Sequence, residues 1–503
     1  VYIHRLLPNL YRDSVSLMQL SAALGKLPGV EQASAVMATP ANLEFLRQAG
    51  LADGDIAPRP NDLLVAVRGK SNAQLEAALA AALDSLNNQP AQSAGTGSPV
   101  EATPRSLQMA LGRAPAANLA LISVPGDYAA AEAMKALNLG LHVMLFSDNV
   151  ALADEVALKR HAKARGLLVM GPDCGTAIID GVPLGFANAV RRGAVGVVGA
   201  SGTGTQQVTS LVHRRGAGIS HAIGTGGHDL HKEVGGITML HGLELLARDA
   251  DTRAIVLISK PPSPAIARDV IAAARKAGKP VVVNFIGSTE DPSGGNLHVS
   301  RTLDEAASAA VALAKGRKPS RISASSAKLP RLKFKAQQRY IRGLFSGGTF
   351  CYEASAILGD VWSNAPVDPK RAIEDPWKSR EHTLVDLGDD VFTRGRPHPM
   401  IDLRLRNDRI LEEAADPQVA VILLDVVLGY GSHPDPAAEI VPVLGKIKKK
   451  SGSPVVVASV CGTDEDPQGL ERQEAALREA GVLLTESNAS AARLAGAIVA
   501  KLK

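Results

Sequence analysis

Short apolar runs alternate along this chain with stretches whose apolar positions recur at helical spacing, the pattern of buried parallel strands between amphipathic helices. Runs at residues 119–124, 142–146, 167–170, 195–198, 219–223, 254–258 and 419–424 have strand length. Helical spacing follows at 129–138, 151–165 and 205–215, the last through Val208, Leu211 and Val212. Near the N-terminus, strands are predicted at 2–7, 30–38 and 63–68, with helices at 14–25, 42–49 and 72–86. Asp13 and Asn42 precede two of these helices as N-cap candidates. Residues 89–105 and 315–335 have no hydrophobic period, and are rich in Pro, Ser, Gly and Thr or in Lys and Arg. They read as linkers. The expected division is therefore a small N-terminal α/β domain at 1–88, then domains at 106–193, 194–315 and 340–503.

The stretch VGVVGASGTGTQQV, residues 195–208, feeds an apolar strand through glycines into a helix. A helix start reached in this way leaves backbone N–H groups without partners, under the positive end of the helix dipole. Phosphate or carboxylate fits there. Ser201, Gly202, Thr203, Gly204 and Thr205 are the candidate phosphate-binding residues. The spacing is neither a Walker loop nor a clean GxGxxG. The motif recurs, however: FSGGTFCYEASAIL from Phe345 sets Ser346, Gly347, Gly348 and Thr349 at a second helix start. Two further segments repeat in the same order, from Asp249 and Asp416 and from Lys279 and Ser453. Three ordered matches indicate a duplicated α/β domain. Two helix starts, one per copy, are expected to face one ligand.

Composition narrows the chemistry. Aromatic residues make up 3% of the chain and hydrophobic residues 46%, so the cores are aliphatic. The net charge of +5 comes without a basic-aromatic array. Small anionic metabolites are expected as ligands, not nucleic acid. Three widely spaced cysteines form no zinc or CxxC pattern, and no apolar run has membrane-spanning length. Reduced thiols, no metal and a cytoplasmic location are the expectations. Cys174 reads as a packed thiol, and Arg59, Arg68 and Lys70 as a solvated basic face. His228, His231 and Asp229 in GTGGHDLH, and Asp425 at a strand end, are acid/base candidates. In TRGRPHP, Arg394 and Arg396 could clamp a carboxylate beside His398. They are expected to reach the site of the two helix starts.

The turn GPDCGT, residues 171–176, resembles the succinyl-CoA synthetase α-subunit family, which implies polar ligand contacts from Asp173 and Thr176. His298 falls near the place of that family's phosphohistidine, without its flanking glycines. Lys260 and prolines stand where the family carries a glutamate. Taken whole, VGVVGASGTGTQQV, IGTGGHDL and DLGDDVFTRGRPHPMID resemble the FdrA family of acyl-CoA-synthetase-like proteins. The resemblance implies a multidomain α/β fold. It would comprise a Rossmann-like, parallel-sheet CoA-binding-type domain, two flavodoxin-like synthetase-type domains and the small N-terminal domain. It also implies a cytoplasmic homo-oligomer acting with subunits from the same operon. The activity it implies is carbamoyl transfer between oxalurate plus phosphate and oxamate plus carbamoyl phosphate. An ADP- or GDP-forming acyl-CoA synthetase is the alternative, and a metabolite-sensing scaffold the third reading. CoA is the cofactor the resemblance implies, but no CoA-type glycine loop is recognisable before Leu119.

Overall fold

The apolar runs are strands in the computed structural model, which describes residues 1–52, 59, 61–88, 104–320, 332–394, 396–448 and 452–502. Most of both expected linkers lies outside the described residues. The chain forms two units, residues 1–151 with 390–402, and residues 152–389 with 403–503.

The larger unit holds two sheets. In one, the strands Ile219–Gly224, Arg192–Gly199, Ala254–Ser259, Val281–Phe285 and Leu297–Val299 lie side by side. In the other, Thr383–Asp386, Tyr340–Phe345, Val419–Val427, Val455–Cys461 and Leu483–Thr485 do the same. Leaving aside the two-residue strand Trp362–Ser363 at the edge of the second sheet, both orders numbered within each copy are 2-1-3-4-5, and these pairings are parallel. This is the flavodoxin-like arrangement, whose ligand crevice opens between strands 1 and 3. The duplication read from the sequence is thus a duplication of topology. Strands covered by helices on both faces must be apolar throughout, and Val419–Val427 is buried at every position.

Buried polar bonds join the copies. Leu303 N donates to Glu353 Oε1 at 2.7 Å, and Asn188 Nδ2 donates to Asp466 Oδ2 at 2.8 Å. The boundary expected at residue 194 is corrected here. Thr176–Ile179 pairs antiparallel with Ile219–Gly224, and Val182–Gly185 pairs in turn with Thr176–Ile179. Both strands therefore belong to the first copy's sheet. Asp180 and Gly181, at φ 53° and 79°, make the two-residue turn between them. Asp-Gly is a strong hairpin signal, and the sequence reading missed it.

In the smaller unit, Tyr2–Leu7, Leu63–Gly69 and Val30–Met37 form an antiparallel sheet under helices Ser14–Gly25 and Asn72–Asn88. Asp13 caps the first helix by accepting from Ser16 N. Asn42 is not a cap. Thr39 takes that place, because Pro40 fits the first helical position, where no N–H is needed. Leu119–Ile122 and His142–Leu145 pair in parallel beside helix Gly126–Asn138. Residues 106–193 are accordingly divided between the units at residue 151 instead of forming one domain.

Candidate functional site

The two helix starts meet. Helix Gly202–Arg214 begins after Ser201, whose side chain accepts from Gly204 N at 2.9 Å. Helix Gly348–Leu358 begins after Gly347. Ser201 Oγ and Thr349 Oγ1 lie 2.5 Å apart, so each copy's helix start touches the other's. Gly347 makes this approach possible, since a Cβ there would lie 2.9 Å from Thr203 Oγ1 and from the Phe350 ring.

The two starts are not equivalent. In the second copy, Asp425 accepts from Ser346 N and Gly347 N, both at 2.9 Å, and from Ser346 Oγ. Arg406 Nη1 donates to Asp425 Oδ1 at 3.0 Å and to its carbonyl at 2.7 Å. The Asp425 carboxyl thus takes the two N–H groups that precede helix Gly348–Leu358. Of the expected phosphate-binding residues here, Ser346 and Gly347 give their N–H groups to Asp425, Gly348 packs on Asp386 and Thr349 on Ser201. Burial raises the Asp425 carboxyl, and Arg406 with the Ser346 and Gly347 N–H groups opposes that shift.

Strand register identifies what replaces it in the first copy. Leu424 pairs with Leu344, and Ile258 with Gly199, so Ser259 is the counterpart of Asp425. By the same register Ser201 and Gly202 are the counterparts of Ser346 and Gly347, and a neutral serine puts no carboxylate on their N–H groups. Lys260 follows, with Nζ 5.4 Å from the Tyr352 ring centroid. Beside Gly202, a Cβ would meet nothing within 4 Å except Thr176 Oγ1 at 3.4 Å, so a ligand can approach closely. Ser201 and Thr205 are engaged in capping, Thr205 Oγ1 donating to Ser201 O at 2.7 Å. Asp386, at the end of Thr383–Asp386, is a group that the sequence reading did not single out. Burial pushes its carboxyl up to about 7, helped by Asp389 and Asp425 and opposed by the Gly388 N–H and Lys260.

Other candidates fall elsewhere. Asp229 accepts from Lys159 Nζ at 2.8 Å, Thr238 N at 3.0 Å and Met239 N at 2.8 Å. It caps helix Ile237–Arg248 and neutralises a buried lysine, a structural task. His228 is exposed, 3.5 Å from Glu155 Oε2, with its ring 5.2 Å from that of His231. His298 sits on the edge strand Leu297–Val299, three strands from Arg192–Gly199. Three strand spacings are roughly 14 Å, so His298 cannot share that strand's helix start. Asp173 lies at φ 56° beside Gly227. All three cysteines are buried, and burial pushes the Cys174 thiol up to about 12. Arg394 and Arg396 fold within the smaller unit, where Arg394 Nη1 donates to Gln48 Oε1 at 3.4 Å. Residues 390–402 group with residues 1–151, whereas both helix starts belong to the larger unit. His398 Nδ1 accepts from Met400 N at 3.2 Å, and burial pushes it down to about 4, so it is neutral near pH 7.

Three family models match the chain: CoA-ligase at residues 344–498, CoA binding domain at 190–287, and "AllF, heavy metal-associated domain" at 3–103. The CoA binding match contains the glycine loop at 199–204 and lies C-terminal to the segment expected to carry it. Residues 3–103 hold no cysteine and a single histidine, His4, so the thiolates that select soft metals are missing from that segment. A protein of Escherichia coli K12 described as uncharacterized protein YahF is 45% identical over 98% of each chain. The ADP-forming succinate–CoA ligase α-subunit of Staphylococcus epidermidis is 28% identical over 36% of this chain and 60% of its own length. The ADP-forming succinate–CoA ligase α-subunit 2 of Archaeoglobus fulgidus is 30% identical over 37% of this chain and 65% of its own. Among solved structures, the dinucleotide-forming acetyl-coenzyme A synthetase 1 of Ca. Korarchaeum cryptofilum aligns over 76% of this chain and 83% of that one. Its identity is 17% and its TM-score 0.32.

Proposed function

This chain belongs to the FdrA-type family of acyl-CoA-synthetase-like proteins, and from that premise we propose that it is a phosphate-dependent group-transfer enzyme. Its scaffold is of the succinyl-CoA-ligase type. The observation that carries the proposal is the asymmetry of the two helix starts: Asp425 takes the Ser346 and Gly347 N–H groups before one, while Ser259 stands at the corresponding place in the other. The phosphate of an acyl phosphate, of carbamoyl phosphate or of CoA would be held by the Ser201 and Gly202 N–H groups. Lys260 offsets its charge. Donors fixed by the fold stabilise charge developing on a phosphate oxygen without reorganisation. Asp386, poised near neutrality, is suited to take a proton from the acceptor or return one to the leaving group.

The acceptor separates two readings. Transfer to the CoA thiol is favoured by the CoA-ligase and CoA binding matches. Carbamoyl transfer, forming carbamoyl phosphate from oxalurate and phosphate, is favoured by the remote position of His298. Ligases of this type relay phosphate through a histidine, which carbamoyl transfer does not need. The test assays CoA thioester formation from acyl phosphate against carbamoyl phosphate formation from oxalurate and phosphate, with and without the products of neighbouring genes. The absence of both activities would leave the scaffold reading in possession.

A further inference from the structure

The arginines of TRGRPHP line a cavity within the smaller unit. Residues 390–402 fold with residues 1–151, and within that unit lies a cavity of about 200 Å³. Leu17, Met18 and Phe45 give it an apolar floor. Its lining carries both signs of charge: Arg394 and Arg396, with Asp127, Asp148 and Asp390. It opens at the ends of Leu119–Ile122 and His142–Leu145, where parallel strands place their ligands. Gly126 lets the two loops touch, since a Cβ there would lie 2.4 Å from the Asp148 carbonyl and 2.5 Å from that of Asn149. The Arg394 guanidinium is held 5.9 Å from the Phe45 ring centroid, so it is positioned in advance.

Charge selects the occupant. Burial pushes the Asp148 carboxyl up, and repulsion from Asp390 acts in the same direction. An ammonium group beside them would relieve both effects. A simple anion attracted by the arginines would meet three carboxyls, and a simple cation would meet two guanidiniums. The volume lies below the roughly 300–1,000 Å³ of pockets for drug-sized ligands, which excludes a nucleotide or CoA enclosed within it. We infer that this cavity binds a small zwitterion of the amino-acid type, its carboxylate on Arg394 and Arg396 and its ammonium on Asp148 and Asp390.

The inference does not rest on the proposed group transfer. It is tested by saturation-transfer NMR on the full chain with glycine, β-alanine and 4-aminobutyrate, beside propionate and propylamine as single-charge analogues. At least one zwitterion should bind saturably at millimolar concentration, at least tenfold tighter than either analogue. Arg394→Ala with Arg396→Ala should abolish that binding, and the near-isosteric Asp148→Asn should weaken it at least tenfold with the melting temperature retained. Gly202→Val should leave it unchanged, which separates this site from the phosphate site. Propionate binding as tightly as the zwitterions, binding that survives loss of both arginines, or no binding by any of the three would overturn the inference.

Discussion

Asp386 shows how one side chain is tuned by its neighbours. Its carboxyl sits against Gly348, where a Cβ would lie 2.4 Å from Oδ2, and burial raises it to about 7. An unfolded aspartate titrates near 4, so the unfolded chain loses this proton first as pH rises. Stability from this group is therefore greatest below about pH 4 and declines until the folded carboxyl ionises near 7. Asp386→Asn should flatten that decline and leave the protein at least as stable as the parent at alkaline pH, as measured by urea denaturation. The same variant should remove an inflection near 7 from the pH profile of group transfer. A parent profile flat across that region would end the acid/base assignment. The sequence marked Asp386 only as the first residue of DLGDDVFTRGRPHPMID, without singling it out as an acid/base group. Its environment is supplied by Lys260, Asp389 and Asp425, two of them distant in sequence.

At the scale of elements, glycines and periodicity carried far. Ser14–Gly25 and Tyr2–Leu7 fall at their predicted bounds, because caps and alternation are local properties. The second helix start was legible as a helix start, but not that Asp425 takes the N–H groups before it. That aspartate lies 79 residues from Ser346, and only strand register brings them together. Asp229 went unrecognised as a cap for a similar reason, since it reaches forward to Thr238 and Met239. The contact between the two starts depends on Gly347. Gly347→Ala should force Thr203 and Phe350 aside, costing about 1–3 kcal/mol as overpacking does. Because it parts the Ser201–Thr349 contact, activity should fall more than the lost stability accounts for. A crystal structure of the variant with that contact intact and activity unaltered would contradict the reading.

Over the whole molecule, two flavodoxin-like copies have diverged in charge at equivalent crevices. One holds Asp425 and Arg406, the other Ser259 and Lys260. Among the described residues, no helix is long and apolar enough to cross a membrane, and no cluster of three or more His, Cys, Asp or Glu is placed to hold a metal ion. The division of 106–193 between two units was not legible, because the break at residue 151 falls just before an unbroken helix, Leu152–Ala164. The most direct test of the account is calorimetric titration of the full chain with inorganic phosphate, parent against Gly202→Val. With the Asp425 carboxyl before the second start and none before the first, a single phosphate per chain is expected, at the first. Gly202→Val should lose at least tenfold in affinity, since its side chain would stand where the phosphate approaches, while its melting temperature stays with the parent. Undiminished phosphate binding in the folded Gly202→Val protein would contradict the account.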